Sequence, residues 1–295
     1  MSGDDRAGVT LPASVQVSFA HAALQHLADA VAADVLHIKG VALDPPLADP
    51  GRSGTDADVL VRPRHVEAVL AALEANGWVV ETHFDTGSPF GHATTLLHPV
   101  WGYGDVHRLF PGITRAPDEA FERLWRARHE RLIAGIACPV PDLAAQRLIL
   151  VLNSARDGAH AAADVERAWT TASVEERDEV ERLVDQLGAE VGFAAATGDL
   201  DRFRDSREYD LWRIATRGGS RTAEWRARIK AAPTTRERVR LALVAPLVNT
   251  DHLTAQRGRP PTRREIGLEF VRRLGHGLRE MWAALADRIK GGVQR

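Results

Sequence analysis

Cysteine is almost absent, with Cys138 the single one in 295 residues. That excludes an internal disulfide framework and a cysteine-based zinc cluster, and it fits a reducing compartment, so a cytoplasmic location is expected. Lysine is nearly as scarce, occurring only at Lys39, Lys230 and Lys290. Arginine therefore carries almost all the positive charge, and Lys39 stands out. Neither charge sign is in excess: 38 basic against 40 acidic residues leave a net charge of −2. The chain thus has no general field for nucleic acid or an anionic membrane, and a polyanionic partner must be met locally. No apolar run approaches the roughly 20 residues of a membrane span, and the opening MSGDDRAGVTLPAS lacks the basic start and apolar centre of a secretion signal. No membrane partner is expected. Internal repeats and low-complexity tracts are also missing. What the chain does have is 44% hydrophobic residues, enough for a sizeable core in two domains or one elaborated domain.

Periodicity divides the chain into a strand-rich part and a helical part. From Val17 to Ala33 an Ala-rich stretch places Phe19, Ala23, Leu27, Ala30 and Val31 roughly on one stripe, which reads as an amphipathic helix. Asp34 to Ile38 is short, β-branched and bounded by Lys39-Gly40, the pattern of a buried strand ending in a glycine turn. VALDPPLADPGRSGT opens with a helical turn and is soon broken by Pro45, Pro46, Pro50, Gly51 and Gly54. Asp56 to Val61 reads as a second strand. Val66, Val69, Leu70 and Leu73 form the stripe of a following helix, stopped by Asn76-Gly77. Trp78 to Phe84 reads as another strand, and Ala93 to His98 and Asp105 to Leu109 as the arms of a hairpin, giving a mixed sheet of about five strands. After Pro111 strand signals stop. Leu148, Val151, Leu152 and Ala155 mark a buried helix. Ser173 with Glu176, and Thr262 with Glu265, form capping-box patterns before helices carrying Val180, Leu183, Val184 and Leu187, and Ile266, Phe270, Leu274, Leu278, Met281 and Leu285.

The chemistry concentrates in three acids. Residues i and i+2 of a strand share a face about 7 Å apart, so Asp56 and Asp58 project together while Ala57 faces away. Neighbouring carboxylates repel, and a shared proton or a bound cation relieves them; hard oxygen ligands suit magnesium or manganese. Asp105, in a later strand with His107 as its same-face neighbour, can complete the site from an adjacent strand. Three acids holding two ions suit in-line phosphoryl or nucleotidyl transfer. The competing reading of a D-x-D pair is a solvated pair capping an element.

HIKG, followed by GRSGTDADVLV, a short helix and later YGDVHRLF, resembles the nucleotidyltransferase superfamily of DNA polymerase beta-like fold. The pattern is nearest a bacterial nucleotidyltransferase family with LKG, then R…D-hydrophobic-D-hydrophobic-LV, then V-D-hydrophobic-H. Lys39-Gly40, Arg52, Asp56, Asp58, Leu60-Val61, Asp105 and His107 stand in those places. The likeness covers about residues 34 to 115 and extends weakly to PLVNTDHLTAQRGRPP. It implies an α+β fold: a polymerase beta-like core with a mixed β-sheet and flanking helices, then a mainly α-helical C-terminal region. The divisions expected are an N-terminal helix over 1–33 packing on the core, a core over 34–135 and a helical domain over 136–295.

The resemblance further implies transfer of a nucleoside monophosphate from a nucleoside triphosphate, ATP among them, to an acceptor hydroxyl or phosphate, with release of pyrophosphate. The acceptor would be a small molecule or peptide rather than nucleic acid. Asp56, Asp58 and Asp105 would hold Mg2+, as two ions, or Mn2+, and Asp105 would help deprotonate the acceptor. Lys39, Gly40, Arg52, Ser53 and His107 would contact the nucleotide, His107 by orienting Asp105 or reaching a phosphate. The chain departs from the family pattern at Asp44-Pro45-Pro46 and Asp49-Pro50, and at Asn153 and Asp157, where histidines are usual. Asp164 matches an aspartate of the family's second helix, and it also suits a helix N-terminus. Trp101 and Tyr103 lie close in sequence to the third acid and are placed to contact a base or the acceptor. His92 and His98 are weaker candidates, Cys138 has no histidine partner, and the arginine runs at 236–240 and 257–264 read as solvated. Rival readings are a catalytically silent binding or assembly subunit of the same fold, a tRNA- or protein-modifying transferase of a toxin-antitoxin type system, and a helical nucleic-acid module. The presence of all three acids favours the active enzyme.

Overall fold

The structure, a computed structural model, describes residues 12–49, 51, 54–156 and 161–245, and beyond these 247, 250, 253–254, 259, 261–270, 272 and 275. Helix α1 (Ala13–Ala30) leads into β1 (Val35–Ile38), β2 (Asp56–Val61), α2 (Val66–Ala75), β3 (Val79–Thr82), the one-turn α3 (Phe84–Gly87), β4 (Ala93–His98) and β5 (Gly102–His107). The five strands form one mixed sheet in the order β1-β2-β5-β4-β3, in which only β2 and β5 run parallel. This is the α+β fold with a mixed sheet that the sequence implies. No described helix is long and apolar enough to cross a membrane.

Alternation along the strands divides the core between two faces. Ala57, Val59 and Val61 of β2, with Val35, Leu96 and Val106, pack against Ala20, Leu24 and Ala28 of α1 and Val66, Val69 and Leu73 of α2. The opposite face carries Leu36, Ile38 and Leu60, and Asp56 and Asp58 project to that side. Gly104 of β5 is required by close approach, because a Cβ there would stand 3.0 Å from the ring of buried Trp78.

After β5 come α4 (Pro117–Arg126), β6 (His129–Ile133), β7 (Ile136–Val140), α5 (Leu143–Ser154), α6 (Ala161–Val165), α7 (Val174–Leu187), α8 (Glu190–Thr197), α9 (Tyr209–Arg217), α10 (Arg221–Ala231) and α11 (Thr235–Val244). Phe121 and Leu124 of α4, Leu148, Ile149 and Leu152 of α5 and Val180, Leu183 and Leu187 of α7 cover the acid-bearing face of the sheet. The Ser173–Glu176 capping box forms in both directions at α7, and left-handed Gly188 ends that helix. Thr262 and Glu265 likewise cap a helical stretch over 263–270. The later positions of that expected helix, Leu274, Leu278, Met281 and Leu285, lie outside the described residues.

Four expectations are corrected. Strands do not stop at Pro111: β6 and β7 form a two-stranded antiparallel hairpin whose turn, Ala134-Gly135, has φ of 48° and 84°. Both values are positive, as a tight two-residue hairpin turn demands. On α1 the buried stripe is Val17, Ala20, His21, Leu24, Gln25 and Ala28, while Phe19 and Val31 are exposed. His21 and Gln25 can be buried because each bonds His37 of β1, at 2.8 and 2.9 Å. The β4–β5 turn is shorter than expected, since β5 begins at Gly102 and ends at His107. Phe84 leaves the third strand to open α3.

Candidate functional site

The site is built where β1 ends beside β2. In the antiparallel register Ile38 lies opposite Asp58, and the chain then turns sharply, with φ 62° and ψ 179° at Lys39 and φ 51° at Gly40. Gly40 takes a positive φ readily. Lys39 does not, and a non-glycine residue in this region costs about 1–3 kcal/mol, a strain typical of functional positions. Its return is a direct ion pair, Lys39 Nζ standing 2.7 Å from Asp58 Oδ1.

The parallel β2–β5 pairing sets Asp58 opposite Asp105 and Leu60 opposite His107. His107 Nε2 donates to the same Asp58 Oδ1 at 2.7 Å. Burial alone would raise the Asp58 carboxyl; the Lys39 ammonium and the His107 hydrogen bond outweigh it and hold that acid well below the usual carboxylate range. At Asp105 the balance goes the other way, because a Thr95 hydrogen bond and the Lys39 charge do not offset its burial. Burial, and next the charge of Asp58, push its carboxyl up to about 7. Its Oδ1 is buried without a hydrogen-bond partner among the described residues. Asp56, one pleat step from Asp58, is more exposed, and burial followed by the charge of Asp58 raises it too. One ligand atom each from Asp58, Asp105 and His107 lies within 4.8 Å of the others. Two carboxylates face each other across adjacent strands with one lysine to balance them, and an oxygen of the second is unclaimed. This donor set fits a hard divalent cation.

Behind the acids runs a second row of polar groups. The His92 ring stands 5.1 Å from the His107 ring, and His92 Nε2 accepts from Arg156 Nη1 at 3.0 Å. Arg156 also donates to Asn153 Oδ1 at 3.0 Å. Burial depresses both histidines, so His107 is neutral. An ionised Asp58 can only accept, which assigns the proton to His107 Nε2.

Lys39, Gly40, Asp56, Asp58, Asp105 and His107 thus come together, whereas Arg52, Ser53 and Asp157 lie outside the described residues. Of the two roles expected for His107, orienting Asp105 or reaching a phosphate, the first is corrected, since its hydrogen bond goes to Asp58. Arg156 carried no motif signal, because it reaches His92 over 64 residues of sequence. The departures at Asp44 and Asp49 are anchors. Asp44 exchanges hydrogen bonds with Gln146 at 2.8 and 3.0 Å, and Asp49 pairs with Arg167 at 2.8 Å, fixing the proline loop to the helical part. Asp164 is buried with Arg167 3.9 Å away. Trp101 of the β4–β5 turn packs on Phe19 and His98, and Tyr103, inside β5 rather than in the turn, is the more exposed of the two aromatics. Cys138 is buried, and burial pushes its thiol up to about 12, which makes it inert.

No family model and no curated protein sequence matches the chain. Among the solved structures that resemble it are the following three. The lincosamide antibiotic adenylyltransferase LnuA bound to lincomycin is 18% identical, covering 55% of this chain and 92% of its own with a TM-score of 0.33. The antibiotic-resistance factor ANT(2'')-Ia is 16% identical over 66% of this chain and 96% of its own, with a TM-score of 0.38. An antigenic nucleotidyltransferase-like protein from Paracoccidioides brasiliensis is 16% identical over 63% and 94%, with a TM-score of 0.37.

Proposed function

We propose that this chain is a metal-dependent nucleotidyltransferase that moves a nucleoside monophosphate from a nucleoside triphosphate to an acceptor hydroxyl or phosphate, releasing pyrophosphate. The observation that carries the reading is the in-register Asp58–Asp105 pair, with one acid compensated by Lys39 and His107 and the other left with an unclaimed oxygen. Asp56, Asp58 and Asp105 are the residues that would hold magnesium, as two ions, or manganese. When bound, the cation supplies charge neutralisation for the triphosphate and for the leaving pyrophosphate.

The protein's own groups do the rest. His107 and Lys39 keep Asp58 ionised and oriented before substrate arrives. The turn at Gly40 brings backbone close to the phosphates, and Lys39, with Arg52 and Ser53, meets triphosphate charge. Asp105 takes the acceptor proton as the new oxygen–phosphorus bond forms and the bond to the β-phosphate oxygen breaks. The acceptor class we favour is a small molecule or peptide, because 38 basic residues against 40 acidic ones leave no general positive field to hold a nucleic acid.

Incubation of the protein with α-labelled triphosphates, magnesium and cell extract tests the reading. Labelled product should form with wild type, vanish with chelator and fall at least 100-fold in Asp58→Asn and Asp105→Asn, a loss typical of removing a transition-state charge partner. Equal labelling by wild type and Asp58→Asn would refute it.

A further inference from the structure

Beyond the end of β5, against α9, α10 and α11, lies a cleft of about 350 Å³, within the roughly 300–1,000 Å³ of small-molecule sites. Asp56, Asp58, Asp105 and Lys39 do not line it. Leu60, one pleat step past Asp58, and Phe110, stacked on His107, form the wall on that side. The other walls include Phe90 and Trp212, whose ring centroids are 4.9 Å apart. Such a surface takes a flat apolar body.

The charges in the cleft are unequally used. Five arginines and three acids line it. Arg240 is committed, gripping Asp85 through both terminal nitrogens at 2.9 and 3.1 Å. Arg228 of α10 is 9% exposed, yet its ion-pair partner among the described residues, Glu224, is 3.9 Å away. Its Nε is buried without a hydrogen-bond partner among the described residues, and its guanidinium lies 4.1 Å from the centre of the Trp225 ring. Arg108 gives its Nε to the Gly91 carbonyl at 3.0 Å and holds Asp85 only at 3.9 Å. Burial lowers both Arg108 and Arg228, and both feel the Asp85–Arg240 pair, so they share one field. A buried cation with donors unmet is costly and is relieved by an anion delivered from outside.

We infer that this cleft binds a small organic anion with an aromatic body, its carboxylate or sulfonate meeting Arg228 and Arg108 and its ring lying against Trp212 and Phe90. The site is separate from the acid cluster and does not depend on that cluster's function. The test is calorimetric titration of the full chain with 2-naphthoate and, in parallel, with its uncharged amide. Naphthoate should bind saturably at one site, at least tenfold tighter than the amide, and Arg228→Met should weaken it at least tenfold. Binding should persist in Asp58→Asn, because Asp58 does not line the cleft. Equal affinity for acid and amide, or an unaltered Arg228→Met, would overturn the inference. So would the absence of saturable binding, including the case in which the chain's own residues fill the cleft. If Arg228→Met does not fold, the acid–amide comparison on wild type, repeated with Arg108→Gln, still decides.

Discussion

Lys39 and Asp58 set the electrostatics of the site at the scale of single residues. The pair is 2.7 Å long, with the lysine 17% and the aspartate 6% exposed, so solvent screens it little. Removing one partner leaves an uncompensated charge, which costs up to about 3–5 kcal/mol. Lys39→Met should therefore lower the melting temperature markedly, while Lys39→Met/Asp58→Asn should cost less than the two single changes added together. Additive losses in that double-mutant cycle would show the pair to be uncoupled.

Asp105 makes the complementary prediction about pH. Its folded carboxyl titrates at about 7 against an ordinary 3.8, so between those values the folded state holds a proton that the unfolded chain has released. Stability contributed at this position therefore falls as pH rises from about 4 to 7. Without metal, wild type should lose stability relative to Asp105→Asn across that window, by on the order of a few kcal/mol in total. Magnesium should raise the wild-type melting temperature more at pH 8 than at pH 5.5, where it must displace the proton. A constant difference between wild type and Asp105→Asn from pH 4 to 8 would contradict this account.

Among the elements, the β6–β7 hairpin and the β5 floor are the most exposed to test. Ala134 holds φ 48°, a region asparagine or glycine tolerates better than alanine. Ala134→Asn should stabilise the fold by about 0.5–1 kcal/mol, read by chemical denaturation. Gly104→Val should destabilise by about 1–3 kcal/mol or more, since its side chain would press on a Trp78 ring that is 2% exposed and cannot move aside.

These elements also show what the sequence makes legible. Val35–Ile38, Asp56–Val61 and the α2 and α7 stripes could be read because their apolar periods match their surroundings. The β6–β7 hairpin could not, because HERLIAGIACPV mixes charges on an exposed face with a turn lacking asparagine or aspartate before its glycine. The α1 face is illegible for a related reason. Its buried side includes His21 and Gln25, and their burial depends on His37, which local periodicity cannot reveal. The site follows the same rule. Asp56 and Asp58 are neighbours in one strand and needed only the pleat, whereas the pairing of Asp58 with Asp105, and of His107 with Asp58, follows from a strand register set by the whole sheet.

Viewed as a whole, the molecule protects one face of its sheet with α1 and α2 and uses the other twice. Part of that second face is core, packed by α4, α5 and α7, and part carries the acids. Next to them, beyond Leu60 and Phe110, lies the arginine-lined cleft. The helical part also anchors the chain at Asp44 and Asp49, through Asp44–Gln146 and Asp49–Arg167, a short way past Lys39-Gly40. Arg167→Met should release the second anchor, raising the apparent KM for triphosphate several-fold with a smaller change in kcat. An unchanged KM would show the anchor to be structural only.

The central claim, that the three acids assemble a metal-dependent triphosphate site, is tested most directly by calorimetry with ATP, GTP, CTP and UTP in the presence and absence of magnesium. The account predicts binding of at least one triphosphate that requires magnesium and is lost in Asp105→Asn while that variant remains folded. Triphosphate binding that is equal with and without metal, or that survives undiminished in Asp105→Asn, would contradict it.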